Sequence, residues 1–279
     1  MPYVLPSSLT EALELRASGE WCVIAGGTDV YPARVEGARR PLLDLSALSS
    51  LATVEGNEQQ WRIGPLVTWT QLRHTQLPAC FDALKQAGRE VGAGQIQNVA
   101  TIAGNLCNAS PAADGVPPLL VLDAEVELSS VEGRRVAALS DFILGNRRTL
   151  LKDNELVTAV IVPRREEHAP SRFYKLGSRR YLVISIAMVA AQIVIDETGC
   201  VSSARIAVGS CSEVATRLPE LESSLVGVVA DERIATYVTS DRLQRLAPID
   251  DVRASRAYRL EAAAEIIRRV LIDSVASVS

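Results

Sequence analysis

Two stretches of the chain carry residue types that could do chemistry. The first, VIAGGTDVYP at residues 23–32, runs an apolar segment into Gly26-Gly27 and then Thr28 and Asp29. Paired glycines let the backbone adopt φ > 0 and turn successive N–H groups toward one point, which makes a concavity for an anion. Thr28 adds a hydroxyl donor. The second, TIAGNLCNASPAAD at residues 101–114, offers hydroxyls at Thr101 and Ser110 and amides at Asn105 and Asn108. Gly104 permits close backbone approach, and Asp114 supplies an acceptor suited to a ribose hydroxyl or a backbone amide. Neutral donors of this kind can hold a diphosphate with little need of lysine. Taken alone, each stretch also reads as an ordinary turn or a loop satisfying itself, because glycines are common in turns. Neither is G-x-G-x-x-G, and the G-x-x-x-x-G-K-S/T loop is absent, so no Rossmann fingerprint or NTPase loop is present.

Other chemistries find few residues. The five cysteines are Cys22, Cys80, Cys107, Cys200 and Cys211, widely spaced and without a C-x-x-C pair, and the two histidines are His74 and His168. Zinc and iron–sulfur clusters therefore lack ligands here, and a disulfide framework is not expected. The cysteines read as buried thiols in a reducing cytoplasm. The chain has 279 residues, 48% apolar and 22% charged, with a formal net charge of −4. That balance is ordinary for a globular protein and unlike the clustered basic surface of a nucleic-acid binder. The apolar run around Val183–Val194 is interrupted by Ser185 and Gln192 and falls short of the ~18 residues that span a bilayer. MPYVLPSSLTEA has no basic start followed by an apolar core, so no signal peptide is expected.

The elements that must position the two stretches can be read coarsely. Ser7 and Ser8 can cap a helix over Leu9–Ala17, which Gly19 stops. Trp21–Ala25 and Pro41–Leu45 read as short strands, and Asp29–Val35 as a short helix. Leu51–Ile63, broken at Glu55-Gly56-Asn57, reads as a hairpin. Helices are expected near Thr68–Gln76, Pro78–Val91 and Val116–Leu122, and strands at Ala124–Leu128, Arg134–Ala138 and Leu156–Val162. Residues 92–113 are poor in charge and rich in Gly, Ala, Asn and Ser, which suggests backbone packed close against something. PRREEHAPS at 163–171 reads as a boundary. Beyond it, strands are expected at Arg172–Gly177, Ile184–Ile195 and Val201–Gly209. Helices follow around Ile234–Val238 and Ser255–Val275, the last with Tyr258, Ala262, Ile266, Val270 and Leu271/Val275 near one face.

The order of the motifs adds what neither gives alone. AGGTD, then IQNVATIAGNLCNASPAAD, then FYKLGSRR, then DVRASRAYR closely resembles the FAD-binding medium subunit of molybdenum hydroxylases of the xanthine dehydrogenase and carbon monoxide dehydrogenase type. The match runs over almost the whole chain, and the TIAGN…ASPAAD block is its most specific part. The resemblance implies an α+β fold. It implies an FAD-binding domain of the vanillyl-alcohol-oxidase-like (PCMH) type over residues 1–168, made of two α+β subdomains split near 50–60. A C-terminal α+β domain of the CO dehydrogenase flavoprotein type would cover 169–279.

The resemblance also implies site residues. The first FAD loop falls on Val23, Ile24, Ala25, Gly26, Gly27, Thr28, Asp29 and Val30. The second falls on Thr101, Gly104 and Asn105, with Ser110 and Asp114 behind it, so that two glycine loops grip one diphosphate. Lys175, in FYKLG, matches a lysine contacting the flavin nucleotide, and Leu156 or Val157 would pack near the isoalloxazine ring. FAD would be held non-covalently, since Thr28 stands where related covalent flavoproteins carry histidine. Molybdopterin and 2Fe–2S clusters are expected only in a large and a small partner subunit, in a cytoplasmic heterotrimer passing electrons to an acceptor such as NAD. Xanthine is the default substrate. No general acid or base is assigned to this chain. A stand-alone FAD oxidase of the same fold and a flavin-free scaffold are the competing readings.

Overall fold

The computed structural model describes residues 2–34 and 40–276. Within it the chain forms two compact units that are not continuous in sequence. The first takes the chain up to Thr75, with Ala93–Ala109 and Asp123–Arg164. The second takes Gln76–Gly92, Ser110–Leu122 and the chain from Arg165 on.

The first unit begins with a small parallel sheet of β1 (Tyr3–Val4), β2 (Cys22–Ile24) and β3 (Leu42–Asp44), in the order β1-β3-β2. Parallel neighbours need crossover connections, and the helix Leu9–Ser18 lies between β1 and β2. Ser8 caps this helix by accepting from the Glu11 N–H, while the Glu11 carboxylate accepts from the Ser7 N–H at 2.8 Å. Ala12 of the helix packs with Leu43, Leu45, Leu48, Leu66 and Leu156 in a buried cluster. The expected helix at Asp29–Val35 is reduced to one 3-10 turn at Pro32–Arg34, and Val35 lies outside the described residues.

A second sheet of the first unit is antiparallel. Its strands are β4 (Val54–Gly56), β5 (Gln60–Ile63), β6 (Glu125–Ser130) and β7 (Gly133–Ala138). A two-stranded ribbon of β8 (Ile143–Gly145) and β9 (Arg148–Thr149) follows, and then β10 (Leu156–Pro163). The sheet order is β4-β5-β10-β6-β7. β10 sits in the middle, and every residue before Pro163 is buried, which is why its sequence is an almost unbroken apolar run. The polar exception, Thr158, donates to Glu127, and Glu127 also accepts from Arg62 at 2.8 Å. The helix Trp69–His74 starts at Thr68 with a capping box in which Thr68 and Gln71 exchange hydrogen bonds.

Residues 94–108, legible only as packed backbone, form two short helices at Gly94–Gln97 and Ile102–Asn108. Gly and Asn are weak helix formers, so composition hides them. Thr101 caps the second by accepting from the Gly104 N–H.

The second unit is built on an antiparallel meander of β11 (Ser171–Leu176), β12 (Ala187–Ile195), β13 (Val201–Gly209) and β14 (Thr216–Arg217). The long helix Arg256–Ala276 packs on β12, and Asp82–Glu90 packs on β11. Its core joins Val189, Ile193, Ile206 and Val208 of the sheet with Leu221, Leu225, Ile267, Val270 and Leu271 of the helices.

The face of the long helix differs from expectation by one position. Arg259, Ala263, Ile267, Val270, Leu271, Ser274 and Val275 are buried, whereas Tyr258 is 49% exposed. Arg259 sets this phase, because both terminal nitrogens of its guanidinium donate to acceptors inside the unit. β12 likewise starts at Ala187 and not Ile184, because Ser185 is drawn into a side-chain hydrogen bond described below.

Candidate functional site

In the first unit the AGGT turn lies directly on the backbone that leads into TIAGN. A Cβ built on Gly26 would sit 1.9 Å from the Val99 carbonyl oxygen and 2.9 Å from Ala100 Cα. No side chain fits there, so the chain's own close approach requires this glycine. Gly27 is favoured by its backbone, and a side chain there would also have to displace the exposed Tyr31 ring. Gly27 holds φ +70, and a Cβ would meet the Tyr31 ring at 2.4 Å. The Tyr31 N–H donates to the Gly27 carbonyl at 3.0 Å, closing the turn. Among the described residues, the amides of Gly26, Gly27, Thr28 and Asp29 donate no hydrogen bond within the chain. Val23 and Ile24 lead into the turn from β2, and the Ile24 carbonyl accepts from Leu45 at 2.9 Å. Ala25 and Thr28 are half-buried, as is Val30, while Asp29 is exposed.

The second loop stands against the first through Val99 and Ala100. Thr101 is buried, and its hydroxyl oxygen accepts from the Gly104 N–H at 3.0 Å. The Asn105 N–H donates to the Thr101 carbonyl at 3.0 Å, and the Ile102 N–H to Val67 at 3.1 Å. Gly104 differs from Gly26. Beyond its own helix, a Cβ there would meet only the Thr101 hydroxyl, at 2.9 Å. Cys107, three positions on and therefore on the same helix face, is exposed. The face of this helix that carries Gly104 is thus small and open.

Of the two residues expected near the flavin ring, Leu156 belongs to the cluster with Ala12 and Leu43. Val157 is also buried and pairs with Leu128 across the sheet.

In the second unit Asp114 and Lys175, expected separately as flavin contacts, form an ion pair. The Lys175 ammonium donates to Asp114 Oδ2 at 2.7 Å, with side-chain exposures of 7% and 8%. It also donates to the Glu90 carbonyl at 3.2 Å. Ser185 donates to the other carboxylate oxygen of Asp114 at 2.8 Å. Burial pushes the Asp114 carboxyl up from the usual carboxylate range, and the Lys175 charge and the Lys175 and Ser185 hydrogen bonds oppose that shift. Ser110 turns inward on its own loop, its hydroxyl accepting from the Ala112 N–H at 3.2 Å. Ser185 was not among the expected site residues. Its signal was present nonetheless, since a polar residue in a buried apolar run must find a partner. Gln192, the other interruption, obeys the same rule by donating to the Ala169 carbonyl at 3.0 Å.

No group of three His, Cys, Asp or Glu is placed to hold a metal ion among the described residues. Burial pushes the Cys80 and Cys211 thiols up to about 12, which leaves them un-ionised at neutral pH. No described helix is long and apolar enough to cross a membrane.

Residues 1–165 match the family model described as the FAD binding domain in molybdopterin dehydrogenase. The chain belongs to that family. Residues 172–274 match the CO dehydrogenase flavoprotein C-terminal domain. The nicotinate dehydrogenase FAD-subunit of Eubacterium barkeri is 32% identical, over 90% of this chain and 87% of its own. The xanthine dehydrogenase FAD-binding subunit of Escherichia coli O157:H7 is 28% identical, over 99% and 96%. Among solved structures, quinoline 2-oxidoreductase from Pseudomonas putida 86 superposes with a TM-score of 0.90 at 26% identity, covering 99% of this chain and 97% of that one. The chain is therefore an FAD-binding oxidoreductase subunit, with the α+β fold of the medium subunits of molybdenum hydroxylases. The first unit fits such a cofactor on its own terms. A run of uncommitted amides, neutral donors that suit a diphosphate, stands in the same unit as Gly104, which puts no side chain on its helix face.

Proposed function

We propose that this chain is the electron-transfer subunit of a molybdenum hydroxylase. The observation that carries the reading is the seating of Gly26 on Val99 and Ala100. It brings the uncommitted amides of Gly26–Asp29 beside the Thr101–Asn105 helix start within one unit. In this reading those amides, Thr28 and Asn105 hold the diphosphate, and Gly104 lets the nucleotide approach the helix backbone. Thr101 caps that helix and fixes where Gly104 lies. Val23, Ile24, Ala25 and Val30 shape the loop, and Leu156 or Val157 lies toward the ring. In the second unit we propose Ser110, Asp114 and Lys175 as nucleotide contacts, with the ion pair fixing the lysine. FAD, when bound, supplies the redox chemistry. The residues named here bind and orient it, and Thr28 offers no covalent anchor.

The partners in this reading are a molybdopterin-binding large subunit, which binds the substrate, and a small subunit with 2Fe–2S clusters. The names of several relatives support an N-heteroaromatic substrate, while others name glyceraldehyde and carbon monoxide. The finer proposal is a xanthine dehydrogenase-like enzyme with NAD as acceptor, in a cytoplasmic heterotrimer. A boundary between an FAD-binding part and a C-terminal part at 168/169 is proposed between the two family matches. The test is direct. Purified chain should be yellow and release FAD, and not FMN, on acid precipitation. Colourless protein that takes up no added FAD would refute the reading.

A further inference from the structure

The DVRASRAYR stretch lies far in sequence from the proposed nucleotide contacts, yet hydrogen bonds connect them within the second unit. Arg259 is 3% exposed. One terminal nitrogen of its guanidinium donates to Asp251 Oδ1 at 2.7 Å. The other donates to the Ile186 carbonyl at 2.6 Å and the Ser210 carbonyl at 3.2 Å.

Both carbonyls belong to segments that seat residues 110–114. Ile186 follows Ser185, whose hydroxyl donates to Asp114, and Asp114 pairs with Lys175. Ser210 holds φ +62, a left-handed conformation uncommon for a residue other than glycine. Its N–H donates to the Pro111 carbonyl at 3.0 Å. One buried cation thus fixes two backbone points. One leads to the Asp114 side chain and the other to the Pro111 backbone. A planar guanidinium can serve several acceptors at set angles, whereas an ammonium is a point charge on a flexible stem.

We infer that Arg259 is a positioning residue for the proposed flavin contacts of the second unit: it fixes the backbone at Ile186 and Ser210 and, through them, the placement of Asp114 and Lys175. This rests on the reading that Asp114 and Lys175 contact the nucleotide. The plain alternative is that Arg259 only anchors the start of its helix. Arg253 provides the control, because it also pairs with Asp251, at 2.9 Å, but is 40% exposed at the side chain and has no bond to Ile186 or Ser210.

The test uses the full chain in its flavin-free form, carrying Arg259→Met, Arg259→Lys or Arg253→Met, with folding checked by circular dichroism. Hydrogen–deuterium exchange then reads peptides over 110–116, 183–187 and 208–212. Arg259→Met should speed exchange in all three by about tenfold or more, and Arg259→Lys by less. Arg253→Met should change only the region around 250–254. The Kd for added FAD should weaken by about tenfold in Arg259→Met and stay unchanged in Arg253→Met. Faster exchange confined to 250–259, with an unchanged Kd, would overturn the inference. If Arg259→Met fails to fold, Arg259→Lys decides by the same two measurements, since it keeps the charge and gives up the planar fork. If even the wild-type chain binds no FAD, the proposed function fails, while the exchange pattern still decides whether Arg259 positions residues 110–114.

Discussion

The glycine loops of the first unit and the ion-paired cluster of the second were expected to serve one cofactor, but they are constructed in opposite ways. At Gly26–Asp29 the chain leaves backbone donors uncommitted, and neither there nor at Gly104 does it carry a paired charge. At Asp114, Lys175, Ser185 and Arg259 nearly every polar group is already matched and buried. The difference shows how each part keeps its geometry. The loops are shaped by packing of backbone on backbone, which only a missing side chain permits. The cluster is shaped by charge, which is costly to bury unless paired. Substitutions should therefore fail in distinct ways in the two regions.

The largest effect is expected where packing alone holds the shape. Gly26→Val would drive a side chain into the Val99 carbonyl, whose oxygen is 1.9 Å from the Cβ position. Misfolding of the first unit should follow, with a loss of more than about 4 kcal/mol, read as loss of soluble protein or collapse of the thermal transition. A well-folded variant would mean that the two loops can separate. Gly27→Val should fail similarly through backbone strain, so loss of flavin there would not by itself locate the diphosphate.

Lys175→Met tests the charged region. Removing one partner of a buried pair typically costs about 3–5 kcal/mol, because Asp114 would be left buried with Ser185 alone. Denaturant unfolding should show a loss of that order, and the Asp114→Asn/Lys175→Met double variant should recover part of it. No recovery would mean that the pair acts through something other than its charge.

The smallest effect on stability, and the most informative about binding, is expected from Gly104→Val. Its Cβ would meet only the Thr101 hydroxyl, at 2.9 Å, so the cap must shift, and flavin-free protein should lose about 1–2 kcal/mol. FAD retention, measured as flavin released per chain, should nevertheless be lost. Full flavin content in this variant would remove Gly104 from the proposed site and leave the comparison resting on Gly26 to Asp29.

Much of this was legible in the sequence where one physical rule dominates. β10 shows as an apolar run because it is a central strand, and the helix Leu9–Ser18 shows through its serine cap. The glycine loops were legible as candidates, although Gly26 answers first to the chain's own packing. Less was legible where two rules compete. The helix Ile102–Asn108 is written in poor helix formers, and its Thr101 cap is recognisable only once its fold is known. In the last helix the apolar letters suggest a face through Tyr258, but the buried position is the charged Arg259. Charge normally marks a solvated face, and here Asp251 and two carbonyls reverse that rule. Ser185 could have been found from its intrusion into an apolar run, but its partner, 71 positions away in sequence, could not.

The interleaving of the two units carries a consequence for modularity. The chain passes from one unit to the other after Thr75, Gly92, Ala109, Leu122 and Arg164. The TIAGN…ASPAAD block is cut by the third of these crossings. A fragment starting at Arg165 would keep the meander β11–β14 but lose Asp82–Glu90 and Val116–Val121, helices that pack against it. Neither unit can be excised, swapped or fused as one continuous piece. In gene-level terms the chain is a single cassette, although its two family matches lie end to end.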